Sequence, residues 1–557
     1  MSSNVIENVF FMLGGIAVLM FGMKIMGSNL EQVAGNNMKK MLGKMTNNRF
    51  AGVGVGAAVT AIINSSTATT VMLVGFVNVG LMSLTQATSV IMGANIGTTI
   101  TAQILSLTGA GFEVSAYAAL IAATGIVITM LAKKDRLQKL GYILLGIGLI
   151  FIGLKIMSMA VDGIIWEDKE NKVFKHEFFR TLFQGDTFPL LLILIGAVLT
   201  ALVHSSAAVT GILIALGSAL NFQTAVFIIL GSNIGTCVTS IVSSVGTNTN
   251  AKRTALIHLL FNVIGCVICI APLWIWNDQI AEFMHAISGN SMERTIANFH
   301  TIFNLGTTIV LLPFVKFLVF IVCKIIPDGK DAQEEKHKLT FIDRRFLETP
   351  PIAVENTKKE ILKMADIAIE NVNLSMEMLL NGEADNSVLI KDNEDALNFL
   401  NKSITAFLTE LMGKELTSND EKTLGTYYHV VSDIERVGDY AENVMEYSYK
   451  LRAEEGDLSD SAKSELEEVK TTINSLFAKS ILAFSETDAS VLPEIDVLEE
   501  SVDVASTELE AKHIERLKKG ACTAQIGSIY LQTISDLERV GDHITNIGYS
   551  IRHYRHR

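Results

Sequence analysis

The sequence predicts an all-α polytopic membrane protein followed by a helical cytosolic domain, on three observations. Residues 1–328 are mostly long apolar runs with few charges. Residues 329–557 are rich in Glu, Asp and Lys and hold no run of the roughly 20 apolar residues that a span requires. Each half also contains an internal duplication.

The apolar runs define full spans at about 5–27, 86–108, 115–132, 140–161, 224–246, 253–275 and 296–326. Two further segments, 51–81 and 188–220, are too short for two crossings at about 20 residues each. Each is interrupted by a polar cluster, Asn64-Ser65-Ser66-Thr67 in one and His204-Ser205-Ser206 in the other. Both read as re-entrant helical hairpins, because irregular backbone at membrane depth survives only where it is buried or lines a cavity. Lys39, Lys40, Lys44 and Arg49 follow the first span. Lys133, Lys134, Arg136 and Lys139 separate the third and fourth, Lys252 and Arg253 precede the sixth, and Lys324 ends the seventh. The opposite loops carry Glu113, the Asp162–Asp186 stretch and the 277–295 stretch. The positive-inside rule then places the N-terminus outside and the polar half in the cytoplasm. No basic residue precedes the first apolar run, so that run does not read as a cleavable signal peptide.

Three blocks recur in one order. Phe21-Gly22-Met23-Lys24-Ile25-Met26 matches Ile152-Gly153-Leu154-Lys155-Ile156-Met157. Thr60 to Thr70 matches Thr200 to Thr210. Gly93-Ala94-Asn95-Ile96-Gly97-Thr98-Thr99 matches Gly231-Ser232-Asn233-Ile234-Gly235-Thr236-Cys237. The repeats cover about 5–132 and 140–326, and the loop charges invert one relative to the other. Inverted repeats with paired broken helices are the sequence signature of a secondary transporter with a midplane site.

The hairpin tips offer Ser65, Ser66, Thr67, Ser205 and Ser206 at helix starts, where hydroxyls cap free N–H groups and anions are stabilised. Asn95, Thr98, Thr99, Asn233 and Thr236 lie in glycine-flanked positions that a ligand can approach. The motifs hold no Arg, Lys, Asp or Glu, so a buried anion there needs an accompanying cation. Hydroxyl, amide and carbonyl oxygens suit sodium. The competing reading is helix packing by small residues, which is how the Gly52-x-Gly54-x-Gly56 run is read. His204 invites a pH-dependent role, against that of a neutral structural histidine.

The doubled Ser-Ser tips and Gly-x-Asn-Ile-Gly-Thr blocks resemble the type II sodium–phosphate cotransporter family over roughly residues 1–325. The resemblance implies that Ser65, Ser66, Thr67, Ser205 and Ser206 bind phosphate. It also implies that Asn95, Thr98, Asn233 and Thr236 help to bind sodium or shape its sites, and Asn64, Thr99 and His204 are grouped with them. The family has Gln before each Ser-Ser pair. Here Asn64 and His204 stand instead, and Ala207 replaces a third hydroxyl.

The stretch 329–354 reads as a linker or connecting helix. From 355 to 557 the pattern is helical, and Ser432-Asp433-Ile434-Glu435-Arg436-Val437-Gly438-Asp439 recurs as Ser535-Asp536-Leu537-Glu538-Arg539-Val540-Gly541-Asp542. Two three-helix bundles in tandem fit the length. Glu435 with Asp439, and Glu538 with Asp542, share helix faces where like charges repel. Asp392 and Asp395, and Glu500 and Asp503, lie upstream. These carboxylates would suit a hard or borderline divalent metal; the other reading is a solvated acidic face paired with Arg436 and Arg539. The twice-present Glu-Arg-Val-Gly-Asp resembles PhoU-like phosphate-regulation proteins over about 355–557. That resemblance implies metal sites, of divalent or iron type, at the matching acids.

The formal charge of −13 argues against nucleic-acid binding. No nucleotide-binding loop, nucleophile elbow or metalloprotease motif is present, and the Ser pairs lack a base, so an enzyme is not expected. Cys266 and Cys269 form a C-x-x-C within an apolar run and read as packing residues. The expected partners are the bilayer, sodium and inorganic phosphate, the last carried inward. The sequence leaves open a receptor without net transport, a carrier of another oxyanion, and homo-oligomerisation.

Overall fold

The computed structural model describes residues 2–43, 48–110, 114–168, 173–184, 187–328, 337–382, 385–454 and 456–554. Lys44, Glu113, Asp186 and the linker residues 329–336 lie outside these. The chain divides into a unit of residues 1–332 and one of 333–557.

In the first unit, α1 (Ser2–Gly43) is followed by α2 (Arg49–Ile63), α3 (Ser66–Asn78), α4 (Leu84–Leu105) and α5 (Val114–Leu131). A second series then runs α6 (Asp135–Ile165), α7 (Glu177–Gln184), α8 (Pro189–Val203), α9 (Ser206–Leu216), α10 (Phe222–Gly235), α11 (Cys237–Ser243) and α12 (Thr249–Ile275). The unit ends with α13 (Asn277–Ile287), α14 (Met292–Leu311) and α15 (Val315–Ile325). Among the described residues six helical segments are long and apolar enough to cross a membrane: Ile6–Ala34, Leu84–Thr108, Asp135–Ile165, Phe222–Ser243, Thr249–Ile275 and Met292–Ile325. They match six of the seven expected spans. The 115–132 segment forms only the shorter α5. At about 1.5 Å per residue the 42-residue α1 is about 63 Å long, twice a hydrocarbon core.

Three details depart from the sequence reading. A small antiparallel ribbon, β1 (Trp166–Asp168) with β2 (Val173–Phe174), stands in the 162–186 stretch beside α7. Arg253, read as a loop charge, lies inside α12 with 4% exposure. Its Nη2 reaches Asp328 at 2.7 Å and its Nε donates to the Ile326 carbonyl at 2.9 Å. Of the Gly52-x-Gly54-x-Gly56 run, Gly52 and Gly56 face α4, but among the described residues nothing lies within 4 Å of a Cβ at Gly54.

Backbone contact between helices sets the packing. A Cβ at Gly56 would lie 2.0 Å from the Val90 carbonyl oxygen, and one at Gly93 2.0 Å from that of Val53. The second series repeats this, with Gly196 2.1 Å from Ile228 O and Gly231 1.9 Å from Ile193 O. Only glycine permits such an approach. The first helices of the two series also interlock: Gly15 meets Gly153, and Gly22 meets Gly146. Residue numbers rise along α1 as they fall along α6, so these helices are antiparallel. Gly15 and Gly22 correspond to Gly146 and Gly153 at the repeat offset of 131, so the contact is reciprocal.

The second unit holds α16 (Pro350–Leu380), α17 (Ser387–Met412), α18 (Ser418–Ala453), α19 (Asp460–Glu486), α20 (Leu492–Lys518) and α21 (Ala524–Tyr549). The first three helices pack on one another, as do the last three, and α18 packs on α21. Helix begins at Pro350 because proline fits the first turn. The segment before it folds back on α16. The backbone N–H groups of Thr340 and Ile342 donate to the fully buried carboxylate of Glu360, at 2.8 and 3.2 Å.

Candidate functional site: two broken hairpins

The polar clusters interrupt helix as the sequence predicts, and the two interruptions share one backbone. Asn64 ends α2 at φ 56°, ψ 28°, and His204 ends α8 at φ 55°, ψ 25°. This is the left-handed region, which Asn and His enter more readily than most residues. Ser65 and Ser205 follow in extended conformation, at φ −148° and −150°. Each Oγ accepts from the N–H three residues on, Ala68 and Ala208, both at 3.1 Å. Ser65 and Ser205 therefore cap α3 and α9 as expected. Ser66 and Ser206 are buried in the first turns, and Thr67 is half-buried.

The residue before each serine is held by a threonine the sequence reading missed. Thr101 donates to Asn64 Oδ1, and His204 Nδ1 lies 3.1 Å from Thr239 Oγ1. Thr101 and Thr239 are equivalent at the offset of 138, two residues beyond the quoted blocks. Extending the alignment would have found them. Each hairpin's second helix packs on the other series: α9 on α4, and α3 on α11 and α12.

The block residues are satisfied mainly within their own helices. Asn95 Nδ2 donates to Ile91 O at 3.0 Å, Thr98 to Ala94 O at 3.1 Å, Thr99 to Ile96 O at 2.8 Å, and Thr236 to Asn233 O at 2.6 Å. Asn233 differs, its Oδ1 lying 3.2 Å from His300 Nε2 on α14. His300 was not singled out from the sequence.

In the second unit the acidic residues gather without forming a metal centre. Among the described residues no group of three or more His, Cys, Asp or Glu side chains is arranged to hold a metal ion. Metal binding by Asp392, Asp395, Glu435, Asp439, Glu500, Asp503, Glu538 and Asp542 is therefore not supported. Other partners relieve the repulsion. Arg436 Nη1 lies 3.2 Å from Asp439, and Ser506 donates to Glu538 at 2.5 Å. The acids also hold protons more tightly. Burial and then Asp439 raise Glu435, and burial and then Asp542 raise Asp503. The residue of α17 that faces this cluster is Glu394, which burial, and then Asp439, Glu442 and Glu435, push up to about 7.

Comparison with known proteins agrees with this division. Residues 18–159 and 165–292 match the Na+/Pi-cotransporter family model, and residues 361–448 and 466–551 match the PhoU domain model. The chain is a Na+/Pi-cotransporter family membrane unit fused to a PhoU domain. The "Putative inorganic phosphate export protein YjbB" of Salmonella typhimurium is 24% identical over 545 residues, covering 97% of this chain and 96% of that protein. The "Uncharacterized protein YqeW" of Bacillus subtilis is 27% identical over 56% of this chain and 96% of its own length. The crystal structure of PhoU from Pseudomonas aeruginosa matches 35% of this chain and 94% of that one, at 19% identity and a TM-score of 0.34. The cotransporter unit with its multiple spans and the PhoU domain identify a multi-pass phosphate-transport protein and not an enzyme.

Proposed function

We propose that the cotransporter unit carries inorganic phosphate with sodium by alternating access, and that the PhoU domain lies in the cytoplasm and adjusts transport to phosphate status. The observation that carries this reading is the doubled hairpin break: two left-handed residues followed by two serine caps, with dihedral angles equal to within about 3°. Two helix N-termini with clustered hydroxyls suit a tetrahedral oxyanion. Ser65, Ser66, Thr67, Ser205 and Ser206 are assigned to phosphate, and Asn64, Asn95, Thr98, Thr99, His204, Asn233 and Thr236 to sodium or to the shape of its sites. The reciprocal, antiparallel contact of α1 with α6 supports inverted repeats, and the lengths of α2, α3, α8 and α9 support re-entrant hairpins. The export named for the full-length relative favours net outward movement in the cell, with the sodium gradient setting direction in vitro.

The test is labelled phosphate flux in liposomes, with sodium gradients of either sense, for the wild type and a Ser65→Ala/Ser205→Ala double variant. Sodium-dependent flux that falls at least about tenfold in the variant is expected, since two caps and two ligand hydroxyls are lost together. Flux indifferent to both serines would overturn the site. Tight phosphate binding without flux would replace the carrier with a receptor, and equal competition by sulfate would broaden the substrate.

A further inference from the structure

Two helices of the membrane unit carry one short string, His258-Leu259-Leu260-Phe261-Asn262 on α12 and His300-Thr301-Ile302-Phe303-Asn304 on α14. Residues four apart share a helix face, so each helix turns one imidazole and one carboxamide to the same side. All four side chains are enclosed, with exposures between 0 and 2%. The helices pack directly, since a Cβ at Gly265 would lie 2.6 Å from Thr307 and 3.4 Å from Phe303. Hydrogen bonds link both strings to the second Gly-x-Asn-Ile-Gly block. His300 Nε2 meets Asn233 Oδ1 at 3.2 Å, Cys237 Sγ meets the Asn233 carbonyl at 3.6 Å, and Asn262 Nδ2 meets Cys237 Sγ at 3.2 Å.

The partners dictate where the hydrogens sit. His300 Nε2 faces an amide oxygen and carries the proton, so Nδ1 of the neutral ring is a bare lone pair. The Ser240 hydroxyl donates to the Cys237 carbonyl at 2.8 Å, so its oxygen accepts from His258 Nδ1 at 3.0 Å. His258 Nε2 is then also a lone pair. Asn262 Nδ2 and Asn304 Nδ2 donate to the His258 and His300 carbonyls, leaving both Oδ1 atoms as acceptors. Among the described residues, His258 Nε2, Asn262 Oδ1, His300 Nδ1 and Asn304 Oδ1 all lack a partner. Buried polar groups rarely go unsatisfied. Four acceptors and one unpaired donor, Asn233 Nδ2, disfavour an anion and suit a cation. Neutral amide oxygens without a carboxylate suit a monovalent ion rather than a divalent one.

We propose that Asn262 and Asn304, flanked by His258 and His300, form a sodium site between α12 and α14, beside the second block. The site rests on the reading of this unit as sodium-coupled, and its test needs no transport. Thermal unfolding of the purified full-length chain in detergent is followed while sodium chloride replaces choline chloride at constant ionic strength. Sodium raises the unfolding midpoint of the wild type. The half-saturating sodium concentration rises at least about tenfold in Asn262→Ala and Asn304→Ala, as one of few ligands is lost. Asn304→Asp keeps the oxygen and adds charge, so it binds sodium at least as tightly as the wild type. A wild type blind to sodium, alanine variants with the wild-type sodium constant, or an Asn304→Asp variant weaker than wild type would each overturn the site. If an alanine variant does not fold, Asn304→Asp decides. Sodium binding as expected without phosphate flux would leave this site standing and remove the carrier reading. Sodium-driven flux with wild-type sodium constants in both alanine variants would do the reverse.

Discussion

The two hairpins of the cotransporter unit keep one backbone under different side chains, whereas the two bundles of the PhoU domain keep one string of side chains among different partners. Asn64 and His204 differ in chemistry but share φ and ψ, and each is held by the equivalent threonine. In the PhoU domain Asp433 accepts from His543 Nδ1 at 2.9 Å, while its counterpart Asp536 accepts from the Tyr447 hydroxyl at 2.9 Å. Asp439 is bridged by Arg436, but Arg539 reaches Tyr440 instead. Backbone-to-backbone packing leaves no room for drift in the membrane, and side-chain packing in the bundles leaves much. Sequence identity between copies is thus a poor guide to which copy-to-copy geometry is kept.

The largest effects should come from glycines that test this difference. In Gly93→Ala and Gly231→Ala the new Cβ falls 2.0 and 1.9 Å from a carbonyl oxygen that cannot move without its helix. Overpacking of this kind costs about 1–3 kcal/mol, and more where backbone must shift, so both variants should lose folded protein to a similar extent. The equivalent PhoU-domain glycines should part ways. Gly541→Ala meets Val502 at 3.3 Å and gains helix propensity of up to about 1 kcal/mol. Gly438→Ala meets Leu397 at 2.5 Å and the Glu394 carboxylate at 3.0 Å. Yield and melting midpoint of the four variants check this: membrane glycines equally damaging, Gly541→Ala near neutral, Gly438→Ala between.

A second contrast lies in acid titration. Glu394 binds its proton up to about pH 7 when folded, against an ordinary value of 4.5. A raised folded pKa contributes stability that is complete below the unfolded value and is lost as pH rises through the folded one. The PhoU domain should therefore weaken between about pH 4.5 and 7 on account of Glu394, and Glu394→Gln should flatten that fall. In the other bundle burial and Asp542 raise Asp503, a more exposed group, so Asp503→Asn should flatten it less. Melting midpoints across that pH range read the difference, and equal slopes in the two variants would remove it.

Six of the seven spans, the two helix breaks and both duplications were legible because hydrophobic runs and repeated strings are local properties of the chain. The breaks fell where Asn64 and His204 precede Ser-Ser, and the caps followed from the serines. What depended on register between helices was not legible. Thr101 and Thr239 matter only because α4 and α10–α11 lie against α2 and α8. Glu394 was passed over for Asp392 and Asp395, yet it falls on the buried stripe of Ile390 and Leu397 at i, i+4, i+7. Arg253 read as a loop charge because its partner, Asp328, lies 75 residues on, where α15 ends. The metal reading is unsupported for a similar reason: a shared helix face puts acids near one another, yet among the described residues no group of three or more is arranged to hold an ion.

The smallest effects, with the sharpest sign, concern the left-handed residues themselves. Glycine adopts this conformation freely, while an ordinary residue is strained there by roughly 1–2 kcal/mol, His by less and Asn least. Glycine also loosens the unfolded chain, at roughly 0.4–1 kcal/mol. For His204→Gly the relief of strain offsets that entropy and the loss of an exposed bond to Thr239, so stability should stay within about 0.5 kcal/mol of wild type. For Asn64→Gly there is less strain to relieve, and a half-buried bond is removed, leaving Thr101 without its acceptor. That variant should be destabilised by about 1–2 kcal/mol. Matched unfolding curves in detergent read both. If the two substitutions cost the same, the hairpins differ only in chemistry presented to the ligand. If His204→Gly is the costlier, the Thr239 bond carries more weight than its exposure implies, and a structural role for His204 takes precedence over a pH-dependent one, which the phosphate-flux pH profile of His204→Gln would then leave unchanged.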